Sequence, residues 1–538
     1  MLASPMAKPP IRVDLALHPD VLLDERALRA AAVKEAHVRD ADVRAVRVRR
    51  RAIDARRGRV MVQTLVELDF EAKDEPPVVP LDLPTLSGAP PVVVIGAGPA
   101  GLFCAWRLAQ HGLRSVVVER GKAVRPRRRD LAALTQRGAL NPESNYCFGE
   151  GGAGTFSDGK LYTRSSKRGD VESVLRAFVA YGASPDILVD ARPHIGTNKL
   201  PGVVGAMREH LESAGVEVLF ESRVDAIATE GGRTVGVVLA DGRTIEARAV
   251  VVAPGHSARD VQRFVAAAGA RVTFKPFAIG VRVEHPQSFV DRAQFGALAG
   301  HPVLGAASYR LVERACGTGI FSFCLCPGGF VAPAATEPGG QVVNGWSPSK
   351  RNGRFANSGF VTEIGPAQLA TFGFDPNDPF SGVELQRRIE RRAYDAGGGD
   401  YVAPAQRIED FLEKRASSSL PETSYPRPVA SARLDDVLES LAAPLREALR
   451  QVDRKMRGYA RGDAVALGVE SRTSSPVRFE RDHGSLEAVG LPGLYPCGEG
   501  AGFAGGIMSA ALDGVRTAVA IARAWGQPLG ELGAIVEP

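Results

Sequence analysis

The stretch from Pro91 to Gly121, PVVVIGAGPAGLFCAWRLAQHGLRSVVVERG, constrains the fold more than any other part of the chain. An apolar strand runs directly into Gly96-x-Gly98-x-x-Gly101, and a helix, a second apolar strand and the acid Glu119 follow. Gly96 permits the tight turn, Gly98 allows the backbone to approach a pyrophosphate, and Gly101 allows the helix to pack on the strand. The free N–H groups of the helix N-terminus face the anion, and Glu119 accepts a hydrogen bond from a ribose hydroxyl. The sequence therefore predicts a dinucleotide-binding βαβ unit.

A second glycine-rich turn occurs near the C-terminus, in residues 493–525 (GLYPCGEGAGFAGGIMSAALDGVRTAVAIARAW). A short strand leads into Gly498-Glu499-Gly500, and Gly505-Gly506 then opens a helix predicted to run to about Trp525. In a flavoprotein with extended FAD, such a turn holds the ribityl-phosphate part, and the helix N-terminus faces the pyrimidine edge of the flavin. Negative charge collects there on reduction, and a helix terminus stabilises it by up to about 2 kcal/mol. A dehydrogenase that binds only NAD needs no such element, so this turn favours FAD.

A third glycine-rich segment, residues 145–163 (NYCFGEGGAGTFSDGKLYT), is predicted to lie against the flavin. Its glycines allow the backbone to approach a flat ligand, and Ser157, Asp158 and Lys160 would reach the flavin or a substrate. The alternative is a flexible surface loop, which the apolar side chains within the segment disfavour.

Residues 248–260 (RAVVVAPGHSARD) add a further predicted contact with the cofactor. A buried strand breaks at Ala253-Pro254-Gly255, and a helix follows with Ser257 as its expected N-cap. The segment resembles the strand-to-glycine crossing near the cofactor in glutathione-reductase-like flavoproteins.

The order of patterns along the chain predicts an α/β protein with additional domains. Strands are predicted at 11–18, 92–95, 115–118, 217–220, 234–239 and 249–252, a hairpin with arms 43–54 and 59–70, and helices from Leu23 and at 171–182, 201–214 and 257–268. The predicted domains are a small N-terminal α+β domain (1–72), a Pro-rich linker (73–91), an FAD-binding domain in two parts (92–289 and 466–538) and an inserted α+β cap or substrate domain (290–465).

Composition excludes several classes of protein. With 44% hydrophobic and 24% charged residues, the chain fits neither global disorder nor a fibrous repeat. The net charge of +6, from 67 basic and 61 acidic residues, demands neither a nucleic acid nor a membrane partner. No apolar run of about 18 residues appears, the six cysteines are scattered, and no histidine pair has metal-ligand spacing. We therefore expect a cytoplasmic protein that binds no metal, with a small-molecule substrate and an oligomeric state that the sequence leaves open.

The motifs together resemble a largely uncharacterised group of bacterial FAD-dependent dehydrogenases within the glutathione-reductase-like flavoprotein class. The most specific segments are 141–163, 193–200, 253–260, 275–287, 321–337, 468–482 and 495–514. The resemblance implies a glutathione-reductase-like FAD-binding Rossmann fold with the inserted cap domain, and we expect the small N-terminal domain to be ferredoxin-like. It implies tightly bound FAD, with Gly96, Gly98, Gly101 and Glu119 on the ADP half and Gly152, Gly154, Glu499, Gly505 and Gly506 near the pyrophosphate and flavin.

The cofactor site predicted on these grounds is extensive. It comprises Gly96, Gly98, Pro99, Ala100, Gly101, Glu119, Arg120, Arg127, Gly151, Gly152, Gly154, Thr155, Val224, Ala253, Pro254, Gly255, Gly498, Glu499, Gly505, Gly506 and Ile507. No second strand-GxGxxG-helix unit follows residue 121, so NAD(P)H is expected only as a transient electron donor.

Residues that would carry out chemistry are less clear from the sequence. Cys324 and Cys326 would face the same side of a strand as a redox pair, but the flanking apolar residues favour burial in a core. His256 and His285 are interpreted as structural. Four polar residues in the specific segments would either orient an anionic substrate or form structural ion pairs: Lys160, Arg282, Glu284 and Arg472. No catalytic residue is assigned, because hydride passes directly to flavin N5.

An arginine cluster on the N-terminal hairpin leaves a further alternative open. Its members are Arg44, Arg47, Arg49, Arg50, Arg51, Arg56, Arg57 and Arg59. A solvated outer face is the favoured interpretation, and nucleic acid is the less favoured one, because no aromatic residues interleave the arginines. The expected function is an FAD-dependent oxidoreductase that moves a hydride or electron pair between an organic substrate and flavin N5. The alternatives are an FAD-dependent RNA-modifying enzyme and a non-catalytic flavin-binding protein.

Overall fold

The N-terminal unit is a three-stranded antiparallel sheet covered by one helix. In the computed structural model, which describes residues 8–71, 76–163 and 169–527, its elements are β1 (Ile11–Leu17), α1 (Glu25–Glu35), β2 (Ala45–Asp54) and β3 (Met61–Asp69), with strand order β1-β3-β2. Helix α1 begins where the Asp24 side chain accepts a hydrogen bond from the Arg26 amide at 2.8 Å. Residues 8–71 supply the order βαββ, so the second helix and fourth strand of a ferredoxin-like fold are absent from this range.

A five-stranded parallel sheet forms the centre of the molecule, in the order β21-β10-β4-β5-β6. From the start of this region to its last small strand, the elements are β4 (Ser87–Ile95), α2 (Pro99–Gln110), β5 (Leu113–Val118), α3 (Val124–Arg137), α4 (Val171–Ala180), α5 (Leu200–Ser213), β6 (Glu217–Leu219), β7 (Val224–Glu230), β8 (Arg233–Leu239), β9 (Thr244–Glu246), β10 (Ala249–Val252), α6 (Arg259–Ala267) and β11 (Val272–Phe274). β4 and β10 are almost wholly apolar because layers cover both faces of the sheet.

An eight-stranded, almost wholly antiparallel sheet forms the other half. Its region contains β12 (Phe277–Pro286), α7 (Gln287–Phe295), β13 (Val312–Ala315), β14 (Thr318–Pro333), β15 (Val343–Trp346), β16 (Phe355–Ile364), α8 (Pro366–Thr371), α9 (Ser381–Gly397), β17 (Ala403–Arg407), α10 (Ile408–Leu412), β18 (Val429–Ser431), α11 (Leu434–Leu438), α12 (Ala442–Lys455), β19 (Val465–Glu470) and β20 (Val477–Phe479). The sheet order is β13-β14-β16-β12-β19-β17-β18, and β15 pairs with β14.

The chain then returns to the parallel sheet through β21 (Leu494–Pro496) and the long helix α13 (Ile507–Ala524). α13 packs directly on α2, where a Cβ on Gly514 would overlap the Ala100 carbonyl oxygen. The first and last parts of the chain's α/β region therefore share one core. None of the described helices is long and apolar enough to cross a membrane.

The structure corrects one predicted element limit, the start of α6, and shows where two sheets lie relative to the predicted domain limits. β12 pairs with β16 and β19, so the eight-stranded sheet begins before the predicted position 290, and β19 carries it beyond 465. β4 begins at Ser87, inside the predicted linker, while residues 72–75 at the linker's start lie outside the described chain. The N-cap of α6 is Ala258 and not Ser257, whose hydroxyl instead contacts the His256 ring at 2.8 Å. The domain limits themselves stay a prediction.

Candidate cofactor and substrate site

The first glycine turn follows β4 and has the conformation that its motif requires. Gly96 has a φ of +102°, and a Cβ there would overlap the Ala253 carbonyl oxygen, so only glycine fits. α2 begins at Pro99 with Gly98 as its N-cap, and no side chain caps it. Its first amide groups are therefore open to an anion.

Gly98 and Gly101 have different surroundings. A Cβ on Gly98 would meet only the Cα of Gly152, at 4.0 Å, so this glycine borders open space. A Cβ on Gly101 would overlap the Gly96 carbonyl oxygen, so this glycine allows the helix to pack on the strand.

Glu119 lies at the end of β5 and organises the turn through backbone amides. Its carboxylate accepts hydrogen bonds from the amides of Ala97, Gly121 and Gly149, each at 2.9 Å. It therefore ties the first turn to the glycine-rich segment 145–163. The side chain also lines the cavity described below, and the predicted contact with a ribose stays a prediction.

The second glycine turn, after β21, contacts the first. A Cβ on Gly498 would lie 2.7 Å from the Cβ of Ala100, and the Gly498 amide donates to Asp513 at 2.8 Å. α13 begins at Ile507 after Gly506, which has a φ of +136° and no capping side chain. Two uncapped helix N-termini thus lie on either side of one space.

That space is a single cavity of about 1210 Å³. Its wall includes most of the residues predicted to bind the cofactor: Gly96, Gly98, Pro99, Ala100, Glu119, Arg120, Gly152, Gly154, Val224, Ala253, Pro254, Gly255, Glu499, Gly505, Gly506 and Ile507. Five predicted residues lie behind the wall: Gly101, Arg127, Gly151, Thr155 and Gly498. The volume exceeds the roughly 300–1,000 Å³ typical of a single small-ligand pocket, which suits a long cofactor together with a substrate.

The residues behind the wall position the glycine-rich segment. Arg127 is fully buried and donates to the carbonyl oxygens of Asn145, Glu150 and Gly152 at 2.8, 2.8 and 2.9 Å. Burial lowers the pKa of this guanidinium to about 10. Arg127 was predicted to touch the cofactor, but in this structure it holds the loop that does line the cavity.

The glycines along the wall leave room that a ligand would fill. A Cβ built on Gly255, Gly505 or Gly506 would meet nothing within 4 Å, and on Gly98 almost nothing. Tightly packed interiors leave few such spaces. The spaces and the two open helix N-termini fit FAD bound along this wall.

Opposite the glycine turns, the wall is rich in charge. Asp158, almost fully buried, accepts from Arg351 at 2.8 Å and lies 3.3 Å from Lys160. Burial raises the pKa of Asp158, but the two cations outweigh it and hold the pKa well below the usual range. Two cations share one carboxylate here, which leaves positive charge facing the cavity.

Glu499 has the opposite electrostatic environment. It lines the cavity from the second turn, and burial together with the negative charge of Cys324 raises its pKa to about 7, although Lys275 opposes this. A carboxyl with this pKa can donate or accept a proton near neutral pH. The sequence indicated Glu499 only as a cofactor contact.

A buried group of three charges joins the two halves of the molecule. Glu390 of α9 accepts from Arg472 at 2.6 Å and from Arg259 of α6 at 2.9 Å, and all three side chains are almost fully buried. Although burial opposes it, the two arginines lower the pKa of Glu390 to about 2. No local motif in the sequence pointed to Glu390, because its partners come from 82 and 131 residues away.

Of the other polar residues that the sequence singled out, some form structural contacts and the others line the cavity. Arg282 pairs with Glu470 at 2.7 Å with both side chains fully buried, and Glu284 accepts from Thr423 at 2.6 Å. His285 contacts the Tyr459 carbonyl oxygen at 2.7 Å, which agrees with a structural histidine. By contrast, Lys160, His256 and Arg472 line the cavity.

The arginine cluster on the hairpin is largely occupied by acids. Arg47 pairs with Asp69 at 2.7 Å, and Arg49 pairs with Glu67. Arg51 pairs with Asp186 at 3.2 Å and thereby joins the N-terminal unit to the α/β region. These pairs neutralise part of the positive charge of the cluster, and the solvated outer face stays a prediction.

Comparison with known proteins places these features in a family. Four family models match: a domain of unknown function (10–69), an FAD binding domain (91–129), a pyridine nucleotide-disulphide oxidoreductase domain (174–274) and the domain described as "FAD-dependent protein, C-terminal domain-like" (276–473). An uncharacterized protein of Clostridium beijerinckii is 42% identical over 431 residues, which are 79% of this chain and 79% of that protein.

More distant similarities are shorter or weaker. A thiamine thiazole synthase of Aeropyrum pernix is 28% identical over 149 residues, or 28% of this chain and 43% of that protein. Among solved structures, the flavin-dependent brominase Bmp2 is 13% identical, with a TM-score of 0.37 over 81% of this chain and 79% of that one. A 3-ketosteroid dehydrogenase of Rhodococcus jostii, also 13% identical, has a TM-score of 0.34 over 80% and 96%. At these scores the structural likeness carries no argument about this chain.

Proposed function

Because this chain belongs to a family of FAD-dependent oxidoreductases, we propose that it transfers a hydride between flavin N5 and an anionic organic substrate. The observation that carries the proposal is the single cavity, whose wall contains both glycine turns and the cations Lys160, Arg351 and Arg472. Bound FAD supplies a two-electron acceptor or donor. The chain's own residues supply binding, orientation and proton transfer.

The cations of the wall would bind the substrate. Lys160 and Arg351 both pair with Asp158, and Lys160 also lies 3.8 and 3.7 Å from the Sγ atoms of Cys324 and Cys326, so a substrate carboxylate or phosphate would bind chiefly to Arg351. Arg472 also lines the cavity, but its hydrogen bonds to Glu390 fix it in place. The substrate group would therefore lie nearest Arg351.

Glu499 would move the proton that accompanies hydride transfer. Its pKa of about 7 allows it to accept or donate a proton at physiological pH. The N-terminus of α13, with no side-chain cap, would stabilise the negative charge of the reduced ring.

The test is anaerobic reduction of the purified holoprotein with NADH, NADPH and a panel of organic anions, monitored by flavin absorbance. One organic anion should reduce the flavin, or reoxidise it after NAD(P)H has reduced it.

Arg351→Met should raise KM at least about tenfold with little change in flavin content. Arg354→Met is the matched control, because Arg354 is exposed, pairs with Glu422 at 2.8 Å and lies outside the cavity. Equal effects of the two substitutions would contradict the proposed substrate contact.

A further inference from the structure

Cys324 and Cys326 lie on β14 where its pairing with β16 is interrupted. Phe323 pairs with Gly359 and Cys326 with Asn357, so two residues of β14 oppose one residue of β16. Cys324 has a φ of +48°, a conformation that residues with a side chain rarely adopt. Such irregular backbone is concentrated at functional sites.

The surroundings of the two thiols are only partly those expected from the sequence. Cys326 is fully buried, as that interpretation requires, and Leu325, between the two cysteines, belongs to the core beneath the sheet. The Sγ atoms of Cys324 and Cys326, however, lie 3.8 and 3.7 Å from the Nζ atom of Lys160. The apolar neighbours Phe321, Phe323 and Leu325 describe one side of the strand and gave no sign of this cation on the other.

A second cation completes the surroundings of the thiols. Arg282 Nη2 lies 3.5 Å from Cys326 Sγ and donates to the Cys324 carbonyl oxygen at 2.6 Å. A hydrogen bond from the Cys326 thiol and the charges of Lys160 and Arg282 lower the pKa of Cys324 well below its ordinary value, although burial opposes them. Burial raises the pKa of Cys326. These opposite shifts make Cys324 the thiolate and Cys326 the thiol of the couple proposed below.

The carboxylates around the pair act against the thiolate without removing it. Asp158 opposes ionisation of Cys324. Burial is the largest cause that raises the pKa of Glu470 and of Glu499, and the charge of Cys324 adds to it in both. Cys324 and Glu499 line the same cavity. Cys324 therefore faces the cavity that we assign to FAD.

We propose that Cys324 and Cys326 form a dithiol/disulfide couple that exchanges an electron pair with the flavin. The Cys324 thiolate and the Cys326 thiol form one S–S bond, the S–H bond breaks, and two electrons and that proton pass to the ring. The reverse reaction restores thiolate and thiol. Cα atoms two residues apart on an extended strand are separated by about 6.6 Å, near the upper limit of about 6.8 Å for a disulfide. The interruption in β14 provides the departure from full extension that the bond needs.

The first experiment counts electrons. Holoprotein is oxidised with diamide, freed of reagent and titrated anaerobically with dithionite while flavin absorbance is followed. Wild type should take up two electron pairs per chain, and Cys324→Ser only one. Cys316→Ser is the matched control, because Cys316 is exposed and distant from these contacts, and it should take up two pairs. Uptake of one pair by fully oxidised wild type would overturn the proposal.

The second experiment needs neither bound flavin nor turnover. Iodoacetamide is added at pH 6.5 to protein stripped of FAD, and peptide mass spectrometry follows alkylation of each cysteine. Cys324 should react at least about tenfold faster than Cys316, because the thiolate is the nucleophile. Lys160→Met should abolish the difference and Lys160→Arg should largely retain it, with circular dichroism confirming the fold. Equal rates for the two cysteines in wild type would overturn the proposal.

These outcomes are independent of the proposed substrate. Failure of every organic anion to reduce the flavin leaves both thiol measurements unaffected. Conversely, a single electron pair in the titration leaves the substrate assay unaffected.

Discussion

The two sides of the cavity differ in the groups that line them, since one is mainly backbone and the other includes many charged side chains. The side formed by the parallel sheet consists of glycine backbone at the ends of β4, β10 and β21 and of two open helix N-termini. The other side includes charged side chains such as Lys160 and Arg351, which contact residues far away in the chain: Lys160 contacts Cys324, and Arg351 pairs with Asp158. A site that binds its ligand through backbone groups can be encoded by a short local motif. A site that binds its ligand through side chains from distant parts of the chain needs the whole tertiary fold.

The largest expected effect is on the backbone side. Gly98→Val would place a branched side chain in the open space beside the first turn, so the purified protein should be folded but colourless, with FAD affinity reduced by more than about 100-fold. Flavin absorbance and circular dichroism measure the two properties. The control is Gly202→Val on the exposed part of α5, where a Cβ also meets nothing within 4 Å. A yellow Gly98→Val protein would show that the first turn does not bind the cofactor.

The next effect is on stability and comes from the buried charges. Glu390→Gln removes the carboxylate between Arg259 and Arg472 and should lower the free energy of unfolding by about 3–5 kcal/mol. Since the folded-state pKa of about 2 lies below the ordinary 4.5, wild type should lose this stabilisation as the pH falls from about 4.5 to 2. The variant should lack that part of the acid dependence. As control, Glu172→Gln, which breaks an exposed pair with Arg176, should cost about 0.5 kcal/mol. Denaturant unfolding at several pH values measures both.

Glu499 should show a pH dependence of opposite sign. Its folded-state pKa of about 7 lies above the ordinary 4.5, so the folded protein binds a proton that the unfolded chain has released between these values. Its contribution to stability is therefore present below about pH 4.5 and falls as the pH rises to 7. In protein stripped of FAD, Glu499→Gln should lack this decrease in the free energy of unfolding. Between low pH and pH 8, the variant should therefore lose less stability than wild type. An unchanged slope would contradict the assigned pKa. Glu390→Gln serves as the comparison, because it should change the pH dependence of stability only at acidic pH.

The smallest effect is expected at the hairpin. Arg51→Met removes an ion pair that is partly exposed to solvent and should change stability by no more than about 1 kcal/mol, with full FAD content. Because acids occupy the neighbouring arginines, filter binding to a structured RNA at low salt should be weak and unaffected by Arg51→Met. Tight, steeply salt-dependent binding that this substitution weakens would instead favour the RNA-modifying alternative.

Much of the α/β region was predictable because its signals are local. The strand ends at residues 95, 118 and 252, both glycine turns and the final helix occur close to where the sequence indicates them. The sequence did not predict the antiparallel sheet around the inserted region. β12 and β19 flank the inserted region in sequence but pair within it, which only the strand register reveals. Arg127 illustrates the same limit, because its three acceptors are carbonyl oxygens of a folded loop.

The sequence by itself determined the two glycine turns that lie on one cavity, because the conformation of glycine and the polarity of a helix N-terminus depend on neighbouring residues alone. The tertiary structure decided which charges face that cavity and which are neutralised. Lys160 and Cys324 are 164 residues apart, yet their side chains are in contact. Coulombic interaction depends on distance in space and on burial, and the order of residues in the chain specifies neither one directly.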